Sequence, residues 1–112
     1  MTPSFNEPYT AVIFTAQRTG ADPEGYDATA VEMERLAGEQ PGFLGIDTAR
    51  NRDGFGITVS YWRTDDDARA WKAVAEHVDA QRNGRANWYS SYELRVATVT
   101  RSYSFDREHD AP

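Results

Sequence analysis

One stretch constrains this chain more than any other: GFGITVSYWRTDDDARAWKAVAEH, residues 54–77. Phe55, Ile57, Val59 and Tyr61 alternate with Gly56, Thr58, Ser60 and Trp62, the period of a β-strand. One face of that strand is large and apolar, while the other is small and polar until Trp62. A face reduced to Gly, Thr and Ser either lets a helix approach closely or leaves space for a ligand, and the residues alone allow both. From Thr64 the pattern becomes helical. Thr64 serves as N-cap, Asp67 three residues on approximates a capping box, and Asp65, Asp66 and Asp67 complement the positive end of the helix dipole. Ala70, Trp71, Val74, Ala75 and Val78 follow at helical spacing, Lys72 and Glu76 stand four apart on the wet side, and Asn83-Gly84 supplies a stop. Mg²⁺ binding by the aspartates is the weaker reading, because consecutive helical positions splay their carboxylates apart.

The remaining elements fall on either side of this unit. Tyr9–Gln17, rich in β-branched and aromatic residues and stopped by Thr19-Gly20, reads as a strand. Asp22-Pro23-Glu24 opens a helix, with Asp22 as cap, Pro23 where its missing N–H costs nothing, and Glu24 toward the dipole. Tyr26, Ala30, Met33 and Leu36/Ala37 form its apolar stripe, and Pro41-Gly42 ends it. Phe43–Arg50 and Gly54–Trp62 are strands joined by a tight hairpin at Asp53-Gly54. Tyr92–Phe105 reads as a final strand longer than one small sheet needs, and pairing of its overhang with a second subunit would explain the length. The order βαββαβ predicts an α+β, ferredoxin-like sandwich, an antiparallel sheet with two helices on one face. The domain is expected over residues 9–105, with loose tails at 1–8 and 106–112, the latter carrying His109.

A chain of 112 residues supports one core but not a core plus a roomy private cavity, and dimerisation is the usual remedy. Its 12 Lys and Arg against 18 Asp and Glu give a net charge of -6 with no basic stripe, which argues against nucleic acid as a partner. The absence of cysteine excludes disulfides, thiolate chemistry and Cys-type metal sites, and fits a reducing cytoplasm. The longest apolar run, Ala11-Val12-Ile13-Phe14, is far short of the ~20 residues that cross a bilayer, and no export signal is visible, so no membrane partner is expected. There is no Gly-x-Ser-x-Gly elbow, phosphate-cradling glycine loop, His-x-x-x-His pair or dinucleotide fingerprint.

QPGFLGIDTARN, GFGITVSYWRTDDDARAWKAVAEH and NWYSSYELRVATVTRSYSF together resemble the antibiotic biosynthesis monooxygenase (ABM) superfamily over about residues 9–105. The most specific feature is Tyr61-Trp62 at a strand end, followed nine residues later by Trp71 on the next helix. The resemblance implies a dimeric α+β barrel in which two sheets face each other, the last strand pairs across the dimer, and each subunit holds a pocket between helices and sheet. It also implies three outcomes. One is a monooxygenase that oxidises a small aromatic, phenol- or quinol-like compound with O₂ and needs no metal, flavin or other cofactor, since a deprotonated phenol can itself donate an electron to O₂. For that chemistry Trp62, Phe14, Trp88 and Tyr89 would bind substrate, and Trp71 and His77 would be the catalytic residues, His77 as the proton-moving group. Another is haem degradation, less well matched: Trp71 fits, but Gln81 stands where the ligand histidine is expected, Ile13 or a neighbour where the first-strand asparagine is expected, and His77 would need a shifted haem. The third is a dimeric small-molecule binding protein without turnover.

Each of these residues also has a plain structural reading. Trp62 and Trp71 could pack across the strand-to-helix turn as core. His77 stands about 120° from Trp71 around the helix, at a pocket margin or on the surface. Trp88-Tyr89 could close a pocket or cover a dimer seam, and Tyr89 and Tyr92 offer phenols for hydrogen bonding. Arg50, Arg52, Arg63, Arg95 and Arg101 read as solubility or dimer contacts, with only Arg95 or Arg101 placed to meet an anionic substrate across an interface.

Overall fold

Alternating apolar residues bounded by turn-forming ones produce four strands, and the computed structural model, which describes residues 5–82 and 87–110, pairs them into a single antiparallel sheet. The strands are β1 (Tyr9–Arg18), β2 (Phe43–Arg50), β3 (Phe55–Trp62) and β4 (Tyr89–Val99), in the order β2-β3-β1-β4. Helix α1 (Pro23–Gly38) links β1 to β2, α2 (Asp65–Arg82) links β3 toward β4, and a short α3 (Arg107–Asp110) follows. This is the ferredoxin-like α+β order read from the sequence.

The caps form where the polar residues stand. Asp22 adopts a left-handed backbone (φ 45°, ψ 60°), which aspartate tolerates better than most residues, and its Oδ1 accepts from the Gly25 amide at 3.2 Å. Thr64 Oγ1 accepts from the Asp67 amide at 3.0 Å. Asp67 places its own side chain against Gly42, whose φ of +80° and missing Cβ make room for it. The hairpin between β2 and β3 closes with the Asn51 amide donating to the Phe55 carbonyl at 2.8 Å and with Gly54 at φ +94°. The Asn83-Gly84 stop lies outside the described residues.

The last strand differs from expectation at both ends: β4 begins at Tyr89 and stops at Val99, whereas Tyr92–Phe105 was expected. The reason is its neighbour. β1 begins at Tyr9, paired with Val99, and is preceded by Pro8, which has no N–H to extend the ladder. Beyond Val99 no strand among the described residues is there to pair with, and Tyr103 and Phe105 stand 87% and 61% exposed.

The helices cover the face that carries Val12, Phe14, Thr58, Ser60 and Trp62, the small-residue side of β3. Its core lies at one end, where Trp62, fully buried, packs with Val12, Ala37 and Ala68. Trp71 of α2 stacks on Trp62 at 5.8 Å between ring centres with 22° between planes, Phe43 meets Trp62 edge-on at 5.6 Å, and the indole Nε1 donates to Ser60 Oγ at 2.9 Å. The opposite, uncovered face holds Phe55 and Ile57, each 38% exposed. Truncation of the central ring, Trp62→Ala, is expected to lower unfolding stability by about 3–5 kcal/mol, read as a drop in the urea midpoint at unchanged slope.

Candidate functional site

Strand register arranges the helix-facing residues in rows. Reading from β2 through β3 and β1 to β4, one row is Thr48, Thr58, Phe14 and Leu94; the next is Arg50, Gly56, Ala16 and Tyr92; on the other side lie Ile46, Ser60, Val12 and Val96. Along the middle of the sheet the cavity is therefore floored by the short Ser60 and Thr58 of β3 beside Val12 and Phe14 of β1. Small residues there, with Trp71 and Trp62 stacked as a prop at one end, leave α1 and α2 standing off the sheet. The result is a cavity of about 430 Å³. Of the two options that the β3 alternation left open, the structure takes the one that leaves space.

Trp71, Lys72, Ala75, Glu76 and Asp79 of α2, and Tyr26, Thr29, Ala30, Met33 and Glu34 of α1, supply the roof, and Trp88 and Tyr89 close the far end. Exposed Glu34, Arg50, Glu76 and Tyr92 mark where it opens to solvent. The far end is an aromatic group built on Tyr26, which lies edge-on to Trp88 at 5.8 Å and to Tyr89 at 6.1 Å; Phe14 packs on Tyr89 at 5.6 Å and on Tyr92 at 5.5 Å. Burial pushes the Tyr89 phenol well above the usual tyrosine value, reinforced by the neighbouring Tyr26 and by Asp79, with Arg50 opposing. Tyr26 and Tyr89 both line the cavity and bring two phenol groups, each able to donate to or accept from a ligand oxygen, to this end of it. Thr29 Oγ1 and Trp88 Nε1, on residues that line the cavity, are shut off from solvent without a hydrogen-bond partner, an arrangement that costs about 1–3 kcal/mol for each such group.

The residues singled out in the sequence divide cleanly. Phe14, Trp71, Trp88 and Tyr89 line the cavity. Trp62 does not: it lies behind Trp71, with no exposed surface from which to touch a ligand. His77 does not either. At 100° per residue the lining positions of α2 span an arc of about 140°, and His77 stands about 170° from its centre, exposed on the opposite face. That placement also removes it as a haem ligand from the cavity. Among the described residues no group of three or more His, Cys, Asp or Glu is placed to hold a metal ion, and no helix is long and apolar enough to cross a membrane. Arg50, Tyr26, Thr29 and Asp79 were not marked as site residues by the sequence. For Arg50 a signal existed, since it continues the Ile46, Thr48 alternation onto the same face.

Residues 8–83 match the family described as antibiotic biosynthesis monooxygenase. The chain belongs to the ABM family. It is 48% identical over 98 residues to the uncharacterised protein YqjZ of Bacillus subtilis, spanning 88% of this chain and 85% of that protein. A shorter match, 36% over 52 residues, covers 46% of this chain and 24% of the jasmonate monooxygenase ABM of Pyricularia oryzae. Among solved structures, SnoaB, a cofactor-independent oxygenase from Streptomyces nogalater, superposes with a TM-score of 0.69 at 18% identity over 85% of this chain and 96% of that one, a likeness of fold. PA3566 of Pseudomonas aeruginosa superposes with a TM-score of 0.66 at 14% identity, over 89% and 100%.

The tyrosine pair gives this ABM protein a pH signature. Because the folded Tyr89 phenol titrates above the ordinary value of 10.0, the stability it contributes is complete below that value and is lost as pH rises through the folded one. Tyr26→Phe removes the phenol beside it while leaving the burial, and should bring Tyr89 part of the way back toward ordinary titration. Ultraviolet difference absorbance of Tyr26→Phe against Tyr26→Phe/Tyr89→Phe reads that single phenol, and an unchanged titration would contradict the pairing.

Proposed function

We propose that the cavity is the active site of a cofactor-independent monooxygenase that oxidises a small phenol- or quinol-like compound with O₂ in the cytoplasm. The observation that carries the reading is an aromatic-walled cavity with two tyrosines, Tyr26 and Tyr89, side by side at one end. A phenol seated between Phe14 and Trp71 sets its oxygen against the phenols of Tyr26 and Tyr89, whose O–H groups stabilise the phenolate and ease loss of the proton to solvent at the mouth. The phenolate transfers an electron to O₂, the two radicals combine to form the C–O bond, and loss of water leaves a quinone. One oxygen atom enters the ring, the other leaves as water, and the substrate supplies all four electrons. Enclosure by Trp71, Trp88 and Phe14 keeps water from the reactive intermediate.

The second reading is a binding protein without turnover, favoured by the lack of any histidine on the cavity wall among the described residues. Substrate-dependent O₂ uptake separates the two. With naphthols and quinols as substrates, Trp71→Ala and Tyr89→Phe are each expected to lower kcat/KM by about tenfold or more, and His77→Ala to leave it unchanged. Binding of every such compound without O₂ uptake would leave the binding-protein reading.

We also propose a homodimer, as is common in the ABM family. The uncovered sheet face with Phe55 and Ile57, and the exposed Tyr103 and Phe105 beyond β4, are apolar surface that a second copy would bury. Sedimentation velocity is expected to show a dimer that Ile57→Lys converts to monomer; a monomeric wild type would contradict it.

A further inference from the structure

Arg18 and Arg50 approach the same ring. The guanidinium carbon of Arg18 lies 3.6 Å from the Tyr26 ring centre and that of Arg50 lies 5.4 Å from it. Both belong to the helix-facing side of the sheet, and Arg50 lines the cavity beside Tyr26 and Tyr89. The sheet is shaped to receive Arg50: it pairs with Gly56, where a Cβ would stand 3.2 Å from Arg50 Cγ, so the missing side chain is what lets the arginine stem lie flat and reach toward Tyr26. Among the described residues the ion pairs use Arg35, Arg69, Lys72 and Arg95, and no carboxylate pairs with Arg18 or Arg50. In a chain with net charge -6, two guanidinium groups converge on one ring without an ion-paired carboxylate between them, a concentration of positive charge suited to an anionic ligand group.

The cavity is polarised along β3 as a result. Trp71, stacked on Trp62, closes one end, and Arg50 and Tyr26 stand at the other. Ser60 beneath the indole end and Gly56 beneath the Arg50 stem are four residues and about 13 Å apart at the usual strand rise. Of the acids on the roof, Glu76 is paired with Lys72 at 3.4 Å, Glu34 is exposed on α1, and Asp79 stands near Tyr89 at the arginine end, one carboxylate against two guanidinium groups.

We propose that Arg50, seated over Gly56 and supported by Arg18, is the specificity determinant of the cavity and selects amphipathic ligands with an aromatic body toward Trp71 and a carboxylate at the Tyr26 end. A guanidinium matches a carboxylate with two parallel hydrogen bonds, and its stacking on Tyr26 holds the fork in place. The proposal rests on the cavity being the ligand site and names the class of compound it takes, an aryl carboxylic acid.

The test is calorimetric binding, read in the absence of turnover, of 1-hydroxy-2-naphthoate against the neutral 1-hydroxy-2-naphthamide. Wild type is expected to bind the acid about tenfold more tightly than the amide. Arg50→Met is expected to bring the two within about twofold while leaving amide binding as it was, and Arg50→Lys to restore only part of the preference. Gly56→Ala, which keeps the charge but displaces the stem, is expected to weaken the acid selectively. Equal binding of acid and amide by wild type, a preference that survives Arg50→Met, or no binding of either compound would overturn the proposal. A charge preference without O₂ uptake would uphold it and remove only the monooxygenase reading.

Discussion

The stack of Trp71 on Trp62 is the contact on which the site depends. Trp62 is anchored from below by Phe43 and by its hydrogen bond to Ser60, so it cannot tilt aside, and Trp71 resting on it fixes how close α2 comes to the sheet at that end. Along β3 the floor beneath the helices is Ser60 and Thr58, too short to fill the gap that the two indoles set. Close packing normally removes such gaps, because unfilled volume forfeits dispersion contacts. Here the aromatic group around Tyr26 props the other end, and the cavity survives between two rigid supports.

Much of the fold was legible from local chemistry. Asp22 and Thr64 cap the helices as read, the β2–β3 hairpin turns at Asp53-Gly54, and period-2 alternation assigned the faces of β3. The end of β4 was not legible from β4 itself, since Tyr92–Phe105 keeps a strand-like composition throughout; the limit is imposed by Pro8 and the start of β1, a constraint from a partner nearly a chain length away.

The site was legible in part, for a related reason. Trp71, Phe14, Trp88 and Tyr89 reach the cavity, but the angle between His77 and Trp71 carried no sign: which flank of Trp71 faces the cavity depends on how α2 is rolled against the sheet, and the roll puts Lys72, Ala75 and Glu76 inward and His77 outward. Trp62 shares a face with the cavity floor yet is hidden by the very ring it supports. Arg50 looked like a surface charge because long charged side chains at strand ends usually are. Its place depends on Gly56 directly across the ladder, and only the pairing register brings the two together.

The central claim is that the space between helices and sheet is a ligand site rather than a packing defect. The most direct measurement is a crystal structure of the protein soaked with 1-naphthol. The account expects electron density for the ring between Trp71 and Phe14, with its oxygen on the Tyr26–Tyr89 pair and the Trp62–Trp71 stack unmoved. A Trp71 side chain swung down over Thr58 to fill the space, with no naphthol bound, would contradict it.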